Sequence, residues 1–232
     1  MTRLPMAVES DPSSAGDLVT TGRTRAQTLS DARRQLRRGV LGTVVFATAL
    51  YVYTLVQDAA APIYSVETRW DAAIPLLPAA IYFYWMFFPF VVVAAFVSRS
   101  EDFLRIAVGA LLAATIGWVC FLLFPASLVR PDLATLEPGP TRSLFSLLHW
   151  IDDSHNTFPS LHVSTTWICL FAFWRKRYRW LAAATALAIV LSTMFVKQHT
   201  LLDVAGGTVL AILVVPAASA ASAWLCRIFP KL

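Results

Sequence analysis

Charge is scarce in this chain. Of 232 residues only 14% are Asp, Glu, Lys or Arg, against roughly 25% in soluble domains. With 57% of the residues hydrophobic and a mean hydropathy of +0.62, a soluble globular enzyme is excluded and one integral membrane domain is implied. Cysteine is scarcer still. Cys120, Cys169 and Cys226 all fall inside apolar runs. Their odd number and their spacing exclude a metal-ligand set, so they read as small packed hydrophobes. An early apolar run is also missing. The first begins near residue 39, behind a long polar tail, which is too late for a secretory signal peptide. No internal repeat is evident.

What remains is a series of apolar runs. A hydrocarbon core of about 30 Å takes about 20 helical residues. Six segments qualify: 39–57, 74–97, 103–124, 161–174, 180–196 and 201–226. Pro75, Pro78 and Pro89 predict a kink in the second. The fourth is short for a full crossing. The fold class expected is all-α, a polytopic six-transmembrane-helix bundle. Residues 1–37 form a basic cytoplasmic tail, disordered to about residue 30. Residues 38–226 form the six-helix membrane domain, and 227–232 a short cytoplasmic tail. Ser30-Asp31 is placed to cap a short basic helix carrying Arg33, Arg34, Arg37 and Arg38. That cluster serves as a topology signal or binds acidic headgroups.

The distribution of charge orients the bundle. With the N-terminus in the cytoplasm, only Arg69, Arg130, Arg142 and Lys197 of the 19 basic residues fall outside. The outer segments are net acidic. The formal charge of +5 is thus explained by insertion, with both termini cytoplasmic in a multi-pass cell (inner) membrane. Nucleic acid is not an expected partner.

Against this background two polar motifs stand out: Phe158-Pro159-Ser160-Leu161-His162 and Lys197-Gln198-His199-Thr200-Leu201-Leu202-Asp203. Both sit at the outer ends of apolar runs, where polar groups are costly and point to function. His199 and Asp203 are four apart, on one helical face. A carboxylate there orients an imidazole and frees its other nitrogen as a nucleophile towards phosphorus. The competing reading is a capping box, with Thr200 as N-cap and Asp203 as its partner. Ser160 is an N-cap candidate at a helix N-terminus, a natural phosphate site. His162 is placed to protonate a leaving alkoxide, or simply to pack at the interface. Phosphoryl transfer needs cations on the equatorial oxygens. Lys197 and Arg130, in Arg130-Pro131, are the outer candidates. Arg69, Arg142, His149 and His155 read as surface residues. Asp152-Asp153 has no partner spacing for a metal, and no metal or other cofactor is expected.

Taken together these motifs resemble those of the type 2 phosphatidic acid phosphatase superfamily. Arg130-Pro131 resembles the end of its first motif, Pro159-Ser160-Leu161-His162 its second, and Ser192 with His199 and Asp203 its third. Leu123 and Thr193 stand where the family has Lys and Arg, and Leu161 where it has Gly. The Phe-Pro-Ser-Leu-His and Lys-Gln-His forms, with Asp71-x-x-Ile74-Pro75, look more like the branch of inositol phosphorylceramide synthases. The resemblance implies a metal-independent reaction: His199 attacks phosphorus, Asp203 orients it, His162 protonates the leaving group, and Arg130, Ser160 and Lys197 hold phosphate oxygens.

The expected function is an integral-membrane phosphatase acting on a lipid or polyprenyl phosphate monoester or diphosphate through a phosphohistidine, on the extracytoplasmic face. The alternative keeps the site but uses an alcohol acceptor, as a phospholipid or sphingolipid headgroup phosphotransferase. A further alternative is a non-catalytic transporter or scaffold. The bilayer and a lipid phosphate are the expected partners, and the oligomeric state is left open.

Overall fold

The computed structural model describes residues 25–57, 64–152 and 155–228. The expected disorder of the first residues, Asp153, and the C-terminal tail beyond Ile228 lie outside them. Two units are distinguished, one up to Arg34 and the main one from Gln35.

The protein is an all-α membrane protein. Among the described residues, four helical stretches are long and apolar enough to cross a bilayer: within α1 (Arg25–Gln57), across Pro78–Val97, in α5 (Ser100–Leu123) and in α9 (Leu201–Ile228). Two shorter apolar helices, α7 (Leu161–Leu170) and α8 (Arg179–Phe195), coincide with the fourth and fifth predicted spans. The basic helix is not a separate element. α1 begins at Arg25, so Ser30 and Asp31 lie inside it, with Ser30 Oγ on the Gln27 carbonyl and Asp31 paired to Arg34. Strong helix formers through this stretch let it continue upstream of the expected cap.

The second span is broken where its prolines predict. A 3₁₀ turn at Pro78–Ala80 leads into α3 (Ile81–Trp85), and α4 (Phe87–Val97) follows after Met86. Pro89 offers no N–H to the Trp85 carbonyl and its ring crowds that turn, which places the break at this point. α7 ends early, its ten residues covering about 15 Å at 1.5 Å each. The chain then continues in i→i−3 turns, with Phe171, Ala172, Phe173 and Trp174 N–H groups each reaching back three residues. Such turns rise about 2.0 Å per residue and carry the segment to the predicted end at Trp174.

The core forms where α5, α7 and α9 pack together with α4 and α8. Small residues (Ala94, Ala113, Ala186, Ala211) lie buried among Phe90, Ile168 and Ile189. Close helix approach of this kind suits a setting where lipid removes the hydrophobic drive between helices. α1 leaves Leu41, Val44, Val45 and Tyr51 exposed, an apolar face for lipid.

Two helices arise in segments read as loop: α2 (Arg69–Ala73) and α6 (Pro140–Ile151). Two short parallel strands, β1 (Tyr64–Ser65) and β2 (Ala126–Ser127), tie the segment before α2 to the one after α5. These pieces roof the end of the bundle where α5 and α8 finish and α7 and α9 begin.

Candidate active site

The end of α8 sets up the turn that carries the second motif. Val196 caps the helix, and Lys197 takes a left-handed conformation (φ 56°). Such a conformation is uncommon for a residue with a side chain. Here it lets the N–H groups of Gln198 and His199 both donate to the Thr193 carbonyl, at 2.9 and 3.1 Å. Three successive side chains then leave one turn in different directions.

Thr200 and Asp203 form the capping box at the start of α9. Thr200 N–H donates to Asp203 Oδ2 at 2.8 Å, and Asp203 N–H to Thr200 Oγ1 at 3.2 Å. The same Oδ2 lies 3.6 Å from His199 Nδ1. Capping and orientation of the histidine are therefore not competing readings: one carboxylate oxygen serves the cap and faces the imidazole. Asp203 Oδ1 and His199 Nδ1 are buried with no hydrogen-bond partner. Orphaned buried polar atoms cost free energy, and their clustering here marks a site. Catalytic hydrogen bonds of unliganded enzymes are commonly long and tighten with substrate.

The first motif docks directly onto this helix start. Ser160 Oγ accepts the Val163 N–H at 3.2 Å as the N-cap of α7, and Ser160 N–H donates to the Asp203 carbonyl at 3.1 Å. Gly206 and Gly207 permit this approach. A Cβ at position 207 would lie 2.4 Å from the Ser160 carbonyl oxygen, and one at 206 would lie 2.5 Å from the Phe158 ring. Gly207→Ala is expected to destabilise the fold by about 1–3 kcal/mol, since backbone must shift to admit it. Thermal unfolding of the purified variant checks this, and an unchanged midpoint contradicts the packing described.

His162 projects from the first turn of α7 into an aromatic slot. Its ring stacks on Phe87 at 3.8 Å and on Tyr84 at 4.4 Å between centroids. Nε2 is buried with no hydrogen-bond partner, and the imidazole lies within electrostatic reach of His199. The slot fixes the ring plane and leaves one nitrogen uncommitted.

Arg130 reaches the same region from the segment after α5. It donates to the Asp152 carbonyl and, at 3.0 Å, to Gln198 Oε1, with Asp152 Oδ2 at 3.5 Å. Asp152 in turn accepts the Tyr53 hydroxyl at 2.6 Å. Lys197 Nζ donates to the carbonyls of Asp71 and Ile74 at 2.8 and 2.5 Å. These bonds occupy two of its three N–H groups.

Arg130, Lys197 and His199 line one cleft of about 370 Å³, with Asp71, Glu67 and apolar neighbours such as Met194. Ser160, His162 and Asp203 do not line it. They lie behind His199, joined to it through the start of α9. His149 and His155, expected at the surface, are both half-buried: His149 on α6, edge-on to Phe145, and His155 in a bridge to Ser127. Burial, reinforced by the Arg130 charge, lowers the His149 pKa.

Asp71 is the residue that sequence reasoning left outside the site. Oδ1 accepts the Leu201 N–H at 2.7 Å, and Oδ2 accepts the Thr68 N–H at 2.7 Å and its hydroxyl at 2.6 Å. The pattern Thr68-x-x-Asp71 was the available signal, since it is a capping box at the start of α2. Burial pushes the Asp71 carboxyl up. Hydrogen bonds from Thr68 and Leu201, with the Lys197 charge, outweigh it and hold the group below the usual carboxylate range. A depressed folded-state value stabilises fully above the unfolded value of about 3.9 and is lost as pH falls through the folded one. The gap in melting temperature between wild type and Asp71→Asn is expected to stay constant above about pH 5 and to close below about pH 4. A gap that persists unchanged in acid contradicts this.

Residues 66–217 match the PAP2 superfamily. The match covers well over half of the chain and takes in both histidine motifs, Arg130 and Asp71.

The chain belongs to the PAP2 superfamily.

No curated protein and no solved structure matches it significantly. Membership, with the apolar helices, makes this a membrane protein of the phosphatase type. Its departures from the PAP2 pattern take physical form. Leu123, in place of a family lysine, ends α5 with an exposed side chain, and Thr193, in place of an arginine, is buried with its hydroxyl on the Val190 carbonyl. Neither position supplies a cation, which leaves Arg130 and Lys197 as the basic side chains lining the cleft among the described residues.

Proposed function

We propose that this protein cleaves a lipid or polyprenyl phosphate monoester or diphosphate through a phosphohistidine at His199. The observation that carries the reading is the facing of His199 Nδ1 and Asp203 Oδ2 at 3.6 Å, on a residue that also lines the cleft with Arg130 and Lys197. The carboxylate holds Nδ1 and leaves Nε2 for phosphorus. Nε2 attacks the terminal phosphorus, the bond from it to the ester oxygen of a monoester or the bridging oxygen of a diphosphate breaks, and His162 gives that oxygen its proton. Water then attacks the phosphohistidine, His162 takes a proton back, and inorganic phosphate leaves with His199 restored. Arg130 and the third N–H of Lys197 hold the phosphate oxygens, and the Ser160 end of α7, buried behind His199, contributes through its helix dipole.

The site belongs to the extracytoplasmic face of a multi-pass inner-membrane protein with both termini in the cytoplasm. The reading is supported by Arg99 and Arg105 and by the basic cluster Arg175–Arg179, which lie at the helix ends opposite to the motifs. An alcohol acceptor is the second reading. It is favoured by the Lys197-Gln198-His199 and Asp71-x-x-Ile74-Pro75 forms, which resemble those of inositol phosphorylceramide synthases.

The test is a screen of purified protein in lipid nanodiscs against diacyl, sphingoid and isoprenoid phosphates, each with and without candidate alcohols. Free phosphate from at least one substrate supports hydrolysis, and a new phosphodiester lipid supports transfer. Neither product from any substrate overturns both.

A further inference from the structure

The segment Thr68–Ile74 is joined to the nucleophile's turn at two points. Ahead of His199, Lys197 Nζ donates to the Asp71 and Ile74 carbonyls. Behind it, the Leu201 N–H donates to Asp71 Oδ1 at 2.7 Å. The contacts are reciprocal: a side chain of the turn satisfies carbonyls ending α2, and a side chain of α2 satisfies an N–H opening α9. His199 sits midway between the two anchors. Asp71 is only 9% exposed, and a carboxylate so placed is sustained by the donors around it. It also sets a negative charge at the α9 N-terminus, the favourable end of the helix dipole.

We infer that Asp71 is a positioning residue for His199, acting through a strap, Thr68–Ile74, clasped over the turn 197–201. The inference rests on the proposed function for its catalytic consequence. The local cap from Thr200 and Asp203 orders α9 alone. The Asp71 clasp fixes the turn against a segment distant in sequence, and so fixes where the imidazole stands relative to the cleft.

The experiment compares wild type, Asp71→Ala and Asp71→Asn in nanodiscs by hydrogen-exchange mass spectrometry and by steady-state kinetics on the preferred phosphate. For Asp71→Ala, faster exchange is expected over residues 68–76 and 197–204, with α5 unchanged. Its kcat is expected to fall about 10- to 100-fold, the scale of a displaced catalytic group, with KM within about threefold. Asn keeps an acceptor for the Leu201 N–H and is expected to recover part of both losses, which a residue serving general stability alone would not do. Should Asp71→Ala fail to fold, Asp71→Asn carries both readouts and Lys197→Met the exchange readout alone. Unchanged exchange over 197–204, unchanged kcat, or a loss confined to KM overturns the inference. A wild type that cleaves no phosphate overturns the proposed function instead, and the exchange data then decide the clasp on their own.

Discussion

Replacing His199 by alanine is expected to lower turnover by at least ~10⁴-fold, the scale seen when an attacking group is removed. The fold should survive. His199 Nδ1 has no hydrogen-bond partner among the described residues, and the backbone N–H that the residue gives the Thr193 carbonyl is kept by alanine. Truncation of a side chain this lightly tied costs within about 1–2 kcal/mol. Rate and melting temperature measured on the same preparation check both halves. Loss of activity with loss of fold would show that the residue had been misread as purely chemical.

Asp203→Asn is expected to have the next largest effect and to separate the two tasks of that carboxylate. Asparagine keeps an oxygen for the Thr200 N–H, so the capping box closes. It removes the charge that stabilises the histidine as it becomes cationic and holds its tautomer. A loss on the order of 10⁴ in kcat is expected from the comparable change in an orienting aspartate, with stability changed by only about 1 kcal/mol. Asp203→Ala also opens the cap, at about 1 kcal/mol more. Equal activity of Asp203→Asn and wild type would reduce Asp203 to a capping residue, and its facing of His199 would be incidental.

The parts of this molecule written in local pattern were legible from residues alone. Apolar run length located α5 and α9 to within a few residues, and the prolines of the second span predicted its kink, which falls at Met86. Thr200-x-x-Asp203 announced its capping box, and Pro159-Ser160 announced an N-cap, because both are satisfied within one turn of helix. α2 was missed because it is short, and α6 because its twelve amphipathic residues lie outside the long apolar runs. The link from Asp71 to Leu201 was not legible because it is tertiary: Thr68-x-x-Asp71 predicts a cap for α2 and says nothing of the second oxygen. The roles of Gln198 and Tyr53 were hidden for the same reason. Each matters through a partner, Arg130 for one and Asp152 for the other, that folding alone brings near. Lys197 was read as a phosphate ligand from its charge. Its left-handed backbone and its grip on two carbonyls emerge only once the turn is seen.

The central claim is covalent catalysis by His199, and acid-labile phosphate on that residue tests it most directly. Wild type turning over a ³²P-labelled lipid phosphate would be quenched in alkali, digested, and its peptides mapped. Label stable to alkali, labile to acid, confined to the peptide bearing His199 and absent from His199→Ala is the predicted result. Turnover without label on that peptide, or label elsewhere in the chain, would contradict it.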